Sequence, residues 1–448
     1  MSASSLIESR TVYSGQAPGT AIVCGVSDTM MANASVTMVF FFEQALDEDR
    51  LADGLARALA RVPTFAGRIR SSGETLEIVC DDQGVPMTTV EAGQTMAEAI
   101  GRVTLPGSGL GDHVDAPAGR AGGQPLFRVR VSRLSDGGTA LGCSYHHVLG
   151  DMQTFISLMR AWSAAVEGTQ LPDVQLVSDM DAYLDSMLPP EDQGRPGIRL
   201  LEPDEAARLE SEIGSAIMSS RTVQIYFGDA EVSRMRDELS ASAGQRLSTN
   251  DVLCAHVVTT IRRLDEDLET RSFVTAVDIR RRIGIPLAVV GNLTNEVYIS
   301  CAAGTPPEQF AAQIRAAVGE FEQSHLSIRS SRAFVDSVGR SRISECVPVG
   351  FDLSRRTFSF NSWTRFGLYD ISFDGQRPVF FSPAPNIALP WISWMVEGFG
   401  NTGLLFTVGV PAKLAGRMRS ADGRAALHRY RAPDDELPTL ASAARKMI

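Results

Sequence analysis

Thr139-Ala-Leu-Gly-Cys-Ser-Tyr145-His146-His147-Val-Leu-Gly-Asp151 is the stretch on which the fold turns. Its first seven residues form a strongly β-type run. Two adjacent histidines close that run, and a carboxylate follows four residues after the second, just beyond a glycine. A strand end holds an imidazole rigidly, and an unperturbed pKa of about 6.5 lets histidine take and return a proton near neutrality. The chain has only six histidines, so two side by side before a tight turn stand out. On spacing alone, a proton-transfer site and a buried histidine satisfied by a backbone carbonyl are equal readings.

Around this stretch the composition sets bounds. At 448 residues the chain exceeds what one core organises, which points to two domains of roughly 200 residues each. Hydrophobic content of 44% with 21% charged residues is that of a globular enzyme. A formal net charge of -11 argues against binding nucleic acid or an anionic membrane, while leaving room for a local basic pocket. The amino terminus has neither a basic start nor an apolar core, and no run approaches the ~18 apolar residues of a spanning helix. Six scattered cysteines without a Cys-x-x-Cys pair read as reduced core residues rather than disulfides or a metal site. The expectation is a cytoplasmic protein with no nucleic-acid or membrane partner and no metal. Gly-, Ala- and Arg-rich usage points to a GC-rich microbe.

Strands and helices alternate along the chain. Residues 35–43 read as a buried strand, and Asp47 then caps a helix whose apolar stripe is Leu51, Leu55, Leu59 and Val62. Pro63 ends it. Residues 126–131 and 139–145 form a hairpin about Ser135-Asp-Gly-Gly138. Phe155, Met159, Trp162 and Val166 mark the helix after the histidine turn. Gly107-Ser-Gly-Leu-Gly111 lacks the preceding strand that a phosphate cradle needs. The Pro- and Gly-rich segment 187–204 is the linker candidate, and Ser248 caps a helix beyond it. Mixed strands and helices in both halves give an α/β class with α+β layers.

Several blocks, in order, resemble the BAHD acyltransferases of the chloramphenicol acetyltransferase and condensation-domain superfamily. Residues 146–151 match its His-His-x-x-x-Asp motif. Pro63-Thr-Phe-Ala-Gly-Arg-Ile69 is similar to its Pro-x-x-Ala-Gly-Arg block, and Leu247-Ser-Thr249 to its Ser-Thr-capped helix. Val277-Asp-Ile-Arg280 with Gly291-Asn292, and Asn361-Ser-Trp363 with Leu368-Tyr369, resemble the later blocks. Two departures mark a divergent member. Met152 stands where plant members have glycine after the aspartate, and Ser372-Phe-Asp-Gly-Gln-Arg-Pro378 keeps only Phe and Pro of Asp-Phe-Gly-Trp-Gly-Lys-Pro.

The resemblance implies two chloramphenicol-acetyltransferase-like domains, each a mixed β-sheet with flanking helices, and a channel between them. Residues 1–190 would form the first, completed by about 367–392. Residues 191–220 would be a linker or crossover and 221–448 the second domain. It implies a monomer that transfers an acyl group from acyl-CoA, a co-substrate and not a resident cofactor, to a small-molecule alcohol or amine in specialised metabolism. His147 would be the general base, with Asn361 and Trp363 lining the reaction centre and able to donate to the oxyanion. His146, sent to the opposite face by strand alternation, would pack. Asp151 would turn away from the cavity and pair with Arg280, and Ser248 and Thr249 would contact the pantetheine arm. Arg280 to Arg282 form a basic run that could meet phosphates or face solvent. Two alternatives stand: a condensation-like enzyme taking its acyl group from a carrier protein, and a non-catalytic scaffold. The missing glycine at Met152 predicts a distorted turn.

Overall fold

The computed structural model describes residues 5–188, 195–321, 328–349 and 356–435. Two six-stranded sheets organise it. The first is built from β1 (Ser5–Val12), β2 (Ser35–Phe42), β3 (Val85–Ala92), β4 (Phe127–Leu134), β5 (Thr139–His146) and β10 (Phe380–Pro383). The second is built from β6 (Ser220–Phe227), β7 (Arg271–Asp278), β8 (Thr294–Cys301), β9 (Phe358–Ser362), β11 (Ile392–Glu397) and β12 (Leu404–Pro411). Their orders are β1-β3-β4-β5-β2-β10 and β6-β12-β11-β9-β7-β8, each mixing parallel and antiparallel pairs. A late strand thus completes the first sheet, β10 pairing Phe380 with Phe41.

Every residue of β5 is buried, because β5 lies between β4 and β2 and is covered on both faces. The helices on this sheet follow the expected periodicity. Asp47 accepts from the N–H groups of Asp49 and Arg50, both at 3.0 Å, and starts α2 (Glu48–Arg61), which follows the short α1 (Val26–Met30). Leu51, Leu55, Ala58 and Leu59 of α2 are buried against α3 (Met152–Val166), where the Trp162 indole donates to the Leu51 carbonyl at 2.8 Å. The loop about Gly107–Gly111 buries Leu110 in this core.

Alternation in the second sheet joins the domains. Val223, Ile225 and Phe227 of β6 and Phe406 and Val408 of β12 point into its own helix-covered core, where Phe273 packs on Phe310 at 5.4 Å. Tyr226, Val396 and Leu405, one residue out of phase, belong to the first core instead. A period of two therefore gives this sheet one face for its helices and one for the neighbouring domain.

The segment expected to link or cross between the domains carries structure of its own. Within 191–220, Ile198–Leu200 pairs antiparallel with Cys346–Pro348, and Pro203–Ser219 is a helix. Pro203 suits a first helical position, and Asp204-Glu-Ala-Ala-Arg-Leu-Glu210 is helix-forming. Residues 191–194 of the segment lie outside the described residues. The second core also begins before residue 190, since Met180 and Leu184, on a helix over Met180–Met187, pack into it.

Gly54 marks the closest approach of α2 and α3: a Cβ there would lie 2.3 Å from Val166 Cγ2 and 3.2 Å from the Val166 nitrogen. Gly54→Ala should destabilise by roughly 1–3 kcal/mol through overpacking, despite alanine's better helix propensity. A urea midpoint at or above the parent's would show that the helices can move apart freely.

Candidate active site

β5 ends at His146, and His147 opens a single 3-10 turn, His147–Leu149. His146 is fully buried. Its Nδ1 accepts from the Val148 N–H at 3.2 Å, so Nε2 carries the proton toward the Ala116 carbonyl, 3.1 Å away. Burial pushes this imidazole down to about 4, and a Cβ on Gly119 would come within 2.8 Å of its ring. His146 is therefore held in the protein interior.

The His147 ring is different. Its main chain is anchored by donation to the Ala34 carbonyl at 2.9 Å. Nδ1 is buried and makes no hydrogen bond of good geometry; the residue's own carbonyl is its nearest backbone support. Nε2 is then the ring nitrogen left for a reacting group. Burial lowers the pKa from its ordinary value, opposed by that carbonyl, by the charge of Asp151 and by the Asn292 side chain.

Asp151 does not serve the imidazole directly. It caps α3, accepting from the Thr154 N–H at 3.1 Å. Arg280 grips it in two places, Nη1 to Oδ2 at 2.7 Å and Nη2 to Oδ1 at 3.1 Å, and the Leu293 N–H donates to Oδ2 at 3.0 Å. Arg280 is fully buried and also donates to the Val289 and Gly291 carbonyls, each at 3.1 Å. The turn is not distorted at Met152. Gly150 takes the unusual backbone, at φ 141, while Met152 is the first residue of an ordinary helix and lies buried in the first core. The sharp bend needs a glycine one residue before the aspartate, not one after it.

A cavity of about 140 Å³ opens beside His147, lined also by Met31, Asn292, Glu296, Ser359 and Asn361. Ser359 and Asn361 share one face of β9; Phe360 and Ser362, on the other, line a second cavity of about 370 Å³ together with Ser248 and Thr249. Ala276 lines both. Pairing between β7 and β9 runs only from Phe273 with Phe358 to Thr275 with Phe360, so the strands part beside Ala276. Trp363 is not brought into the His147 cavity. It follows the end of β9 and packs on Trp394, ring centroids 6.2 Å apart, within the first core.

Ser248 caps a helix over Thr249–Leu264, its Oγ accepting from the Asp251 N–H at 3.2 Å. A third, open cleft of about 850 Å³ adjoins this helix start, and Ser248, Thr249, Arg236, Arg246, Arg315 and Arg365 line it. These scattered arginines are the basic groups near the helix, and the run 280–282 does not join them. Arg280 is spent on Asp151, and the Arg282 guanidinium lies 4.7 Å above the Phe321 ring. Asn292 and Ser359 have no distinctive sequence signal beyond the Gly291-Asn292 block. Among the described residues no His, Cys, Asp and Glu group could hold a metal, and no helix is long and apolar enough to cross a membrane.

Similar proteins share this design. The model of the Transferase family matches residues 20–388. Agmatine hydroxycinnamoyltransferase 1 of Oryza sativa subsp. japonica is 25% identical over 393 residues, covering 82% of this chain and 86% of its own. The crystal structure of vinorine synthase superposes with a TM-score of 0.69 at 17% identity, covering 93% of this chain and 96% of that one. TRI101 of F. graminearum, complexed with coenzyme A and T-2 mycotoxin, gives 0.70 at 15% identity, covering 90% and 98%. The two sheets share the two-domain fold of these two structures. The chain belongs to the Transferase family.

Because Arg280 is buried around Asp151, Arg280→Ala would strand a buried carboxylate and should cost about 3–5 kcal/mol. The expected result is a lowered thermal midpoint and poor soluble yield. An unchanged midpoint would mean that Asp151 is satisfied without its cation.

Proposed function

We propose that this enzyme transfers an acyl group from an acyl-CoA thioester directly to a hydroxyl or amine of a small acceptor, with His147 as general base. The observation that carries the reading is the cavity shared by His147 and Asn361, into which Nδ1 does not reach. His147 Nε2 takes the acceptor's proton as the acceptor oxygen or nitrogen attacks the thioester carbonyl. The Asn361 amide donates to the oxyanion. Collapse expels the thiolate, and the imidazolium returns the proton to it as free coenzyme A. No acyl-enzyme forms. Asp151 and Arg280 hold the turn, and His146 packs beneath it.

The donor would enter from the other face of β9. Arg236, Arg246, Arg315 and Arg365 offer positive charge for the nucleotide phosphates, and Ser248 and Thr249 stand where the pantetheine arm would pass. A local basic cleft on a chain of net charge -11 suits a phosphorylated co-substrate better than nucleic acid. The reading extends to a monomeric, cytoplasmic enzyme of microbial specialised metabolism; composition supports the microbial and cytoplasmic parts and the family resemblance the rest.

Purified protein given an acyl-CoA panel, with alcohols and amines including agmatine, should release free thiol and yield an acylated product by mass spectrometry. Turnover only from an acylated carrier protein would replace the donor assignment. His147→Ala should lower kcat by about 10²–10⁴, and Asn361→Ala by about 10²–10³.

The pH dependence has a definite sign. A base must be neutral, and burial lowers the His147 pKa below its ordinary 6.5. The acidic limb of kcat/KM should therefore have its midpoint below pH 6.5. A midpoint above 6.5 would contradict the assignment of His147 as a desolvated base.

A further inference from the structure

α1 (Val26–Met30) has two faces at the site. Val26, Ser27 and Met30 line the cavity beside His147, while Asp28 turns the other way into the protein interior. There its carboxylate meets only neutral donors. The Asn292 main-chain N–H and side-chain Nδ2 both donate to Oδ1, at 3.0 and 2.9 Å, and the Gly25 N–H donates to Oδ2 at 3.0 Å. Among the described residues no cation pairs with it. Burial raises its pKa to about 6, a shift that the three donors reduce and the nearby charge of Asp181 adds to. A buried carboxylate without a cation is costly, and a neutral side chain of the same shape would be the cheaper filler.

What the carboxylate provides, and an amide would not, is acceptors alone. Asn292 Nδ2 also donates to the His147 carbonyl at 2.9 Å. With Asp28 Oδ1 and the His147 carbonyl both acceptors, the Asn292 amide has one permitted orientation: nitrogen toward these two oxygens, oxygen on the other side. A flip would set oxygen against oxygen. The Asn292 side chain also favours the protonated His147 ring.

We infer that Asp28 is a positioning residue for the base: it locks the Asn292 amide, which fixes the His147 backbone and gives the imidazole a defined neighbour. Because α1 also forms a wall of the cavity, acceptor wall and base are tied to one anchor. The inference rests on His147 being the base, so its test needs a readout that does not depend on turnover.

That readout is the ¹⁵N spectrum of histidine-labelled protein, with His147 assigned by its loss in His147→Gln. Asp28→Ala should move or broaden the His147 ring signals, and Asp28→Asn, which can still accept but permits the flip, should do so less. Free-thiol release from acetyl-CoA with the best acceptor of the panel should fall about tenfold or more in kcat for Asp28→Ala, with KM for acetyl-CoA changed less than about twofold. A one-ångström misplacement suffices for a loss of that size. Asn292→Ala should cost a similar factor. The double variant should be no worse than the poorer single, since both act through one contact. Circular dichroism and the thermal midpoint set the folded fraction by which each rate is normalised. His147 signals unmoved in folded Asp28→Ala, or losses that multiply in the double variant, would overturn the inference. Moved signals with unchanged turnover would uphold the positioning and remove His147 from the chemistry instead.

Discussion

The pairing of Asp151 with Arg280 is the constraint on which the rest of the site depends. Asp151 belongs to the first domain, at the turn between β5 and α3, and Arg280 follows β7 in the second. Both are buried, so each gave up hydration worth several kcal/mol per ion. That loss is offset only by tight geometry: two guanidinium contacts, and further donors and acceptors from Thr154, Val289, Gly291 and Leu293. Such a pair has little tolerance for displacement. It therefore fixes how the histidine turn meets the 289–293 loop, and with it where Asn292 faces.

This commitment also determines what kind of base His147 can be. A carboxylate bonded to the imidazole would raise its pKa and hold it in one tautomer. Here the carboxylate is occupied elsewhere, and burial lowers the pKa instead. The lowered pKa favours the neutral ring, which can accept a proton, at the cost of intrinsic basicity. Brønsted reasoning favours such a compromise when the operating pH lies just above the pKa. The orienting task passes to main-chain anchors, the Ala34 carbonyl and the Asn292 amide.

Features set by local periodicity were legible in the sequence. The run 139–145, the stripe of α2 and the cap at Asp47 depend on neighbours within a few residues, and all are found. Asp151 and Arg280 lie 129 residues apart, and only the ordered motif blocks brought them together. The failures have physical causes. Pro and Gly density marks 187–204 as a linker, but from Pro203 onward the chain is a strong helix former. The resemblance places Trp363 with Asn361 at the reaction centre, but β9 ends at Ser362 and the tryptophan goes into the neighbouring core. Asp28 has no local signal, because its meaning lies in a contact 264 residues away.

The second sheet makes the two-sided arrangement possible. An intact sheet is impermeable, since its strands lie under 5 Å apart and are bridged by hydrogen bonds. Between β7 and β9 that bridging stops at Thr275 and Phe360, and the next residue of β7, Ala276, lines the cavities on both sides. A methyl side chain at that point takes up less of the space between the two cavities than a larger one would. Alternation then sorts the chemistry along β9: Ser359 and Asn361 face His147, and Ser362 faces the side of Ser248 and the arginines. On the proposed reading, a long, phosphorylated thioester and a small acceptor would approach the imidazole from opposite faces of the same strand, and neither would need to leave before the other binds. Direct transfer within a ternary complex is the chemistry that such access permits, and it requires no nucleophile from the protein.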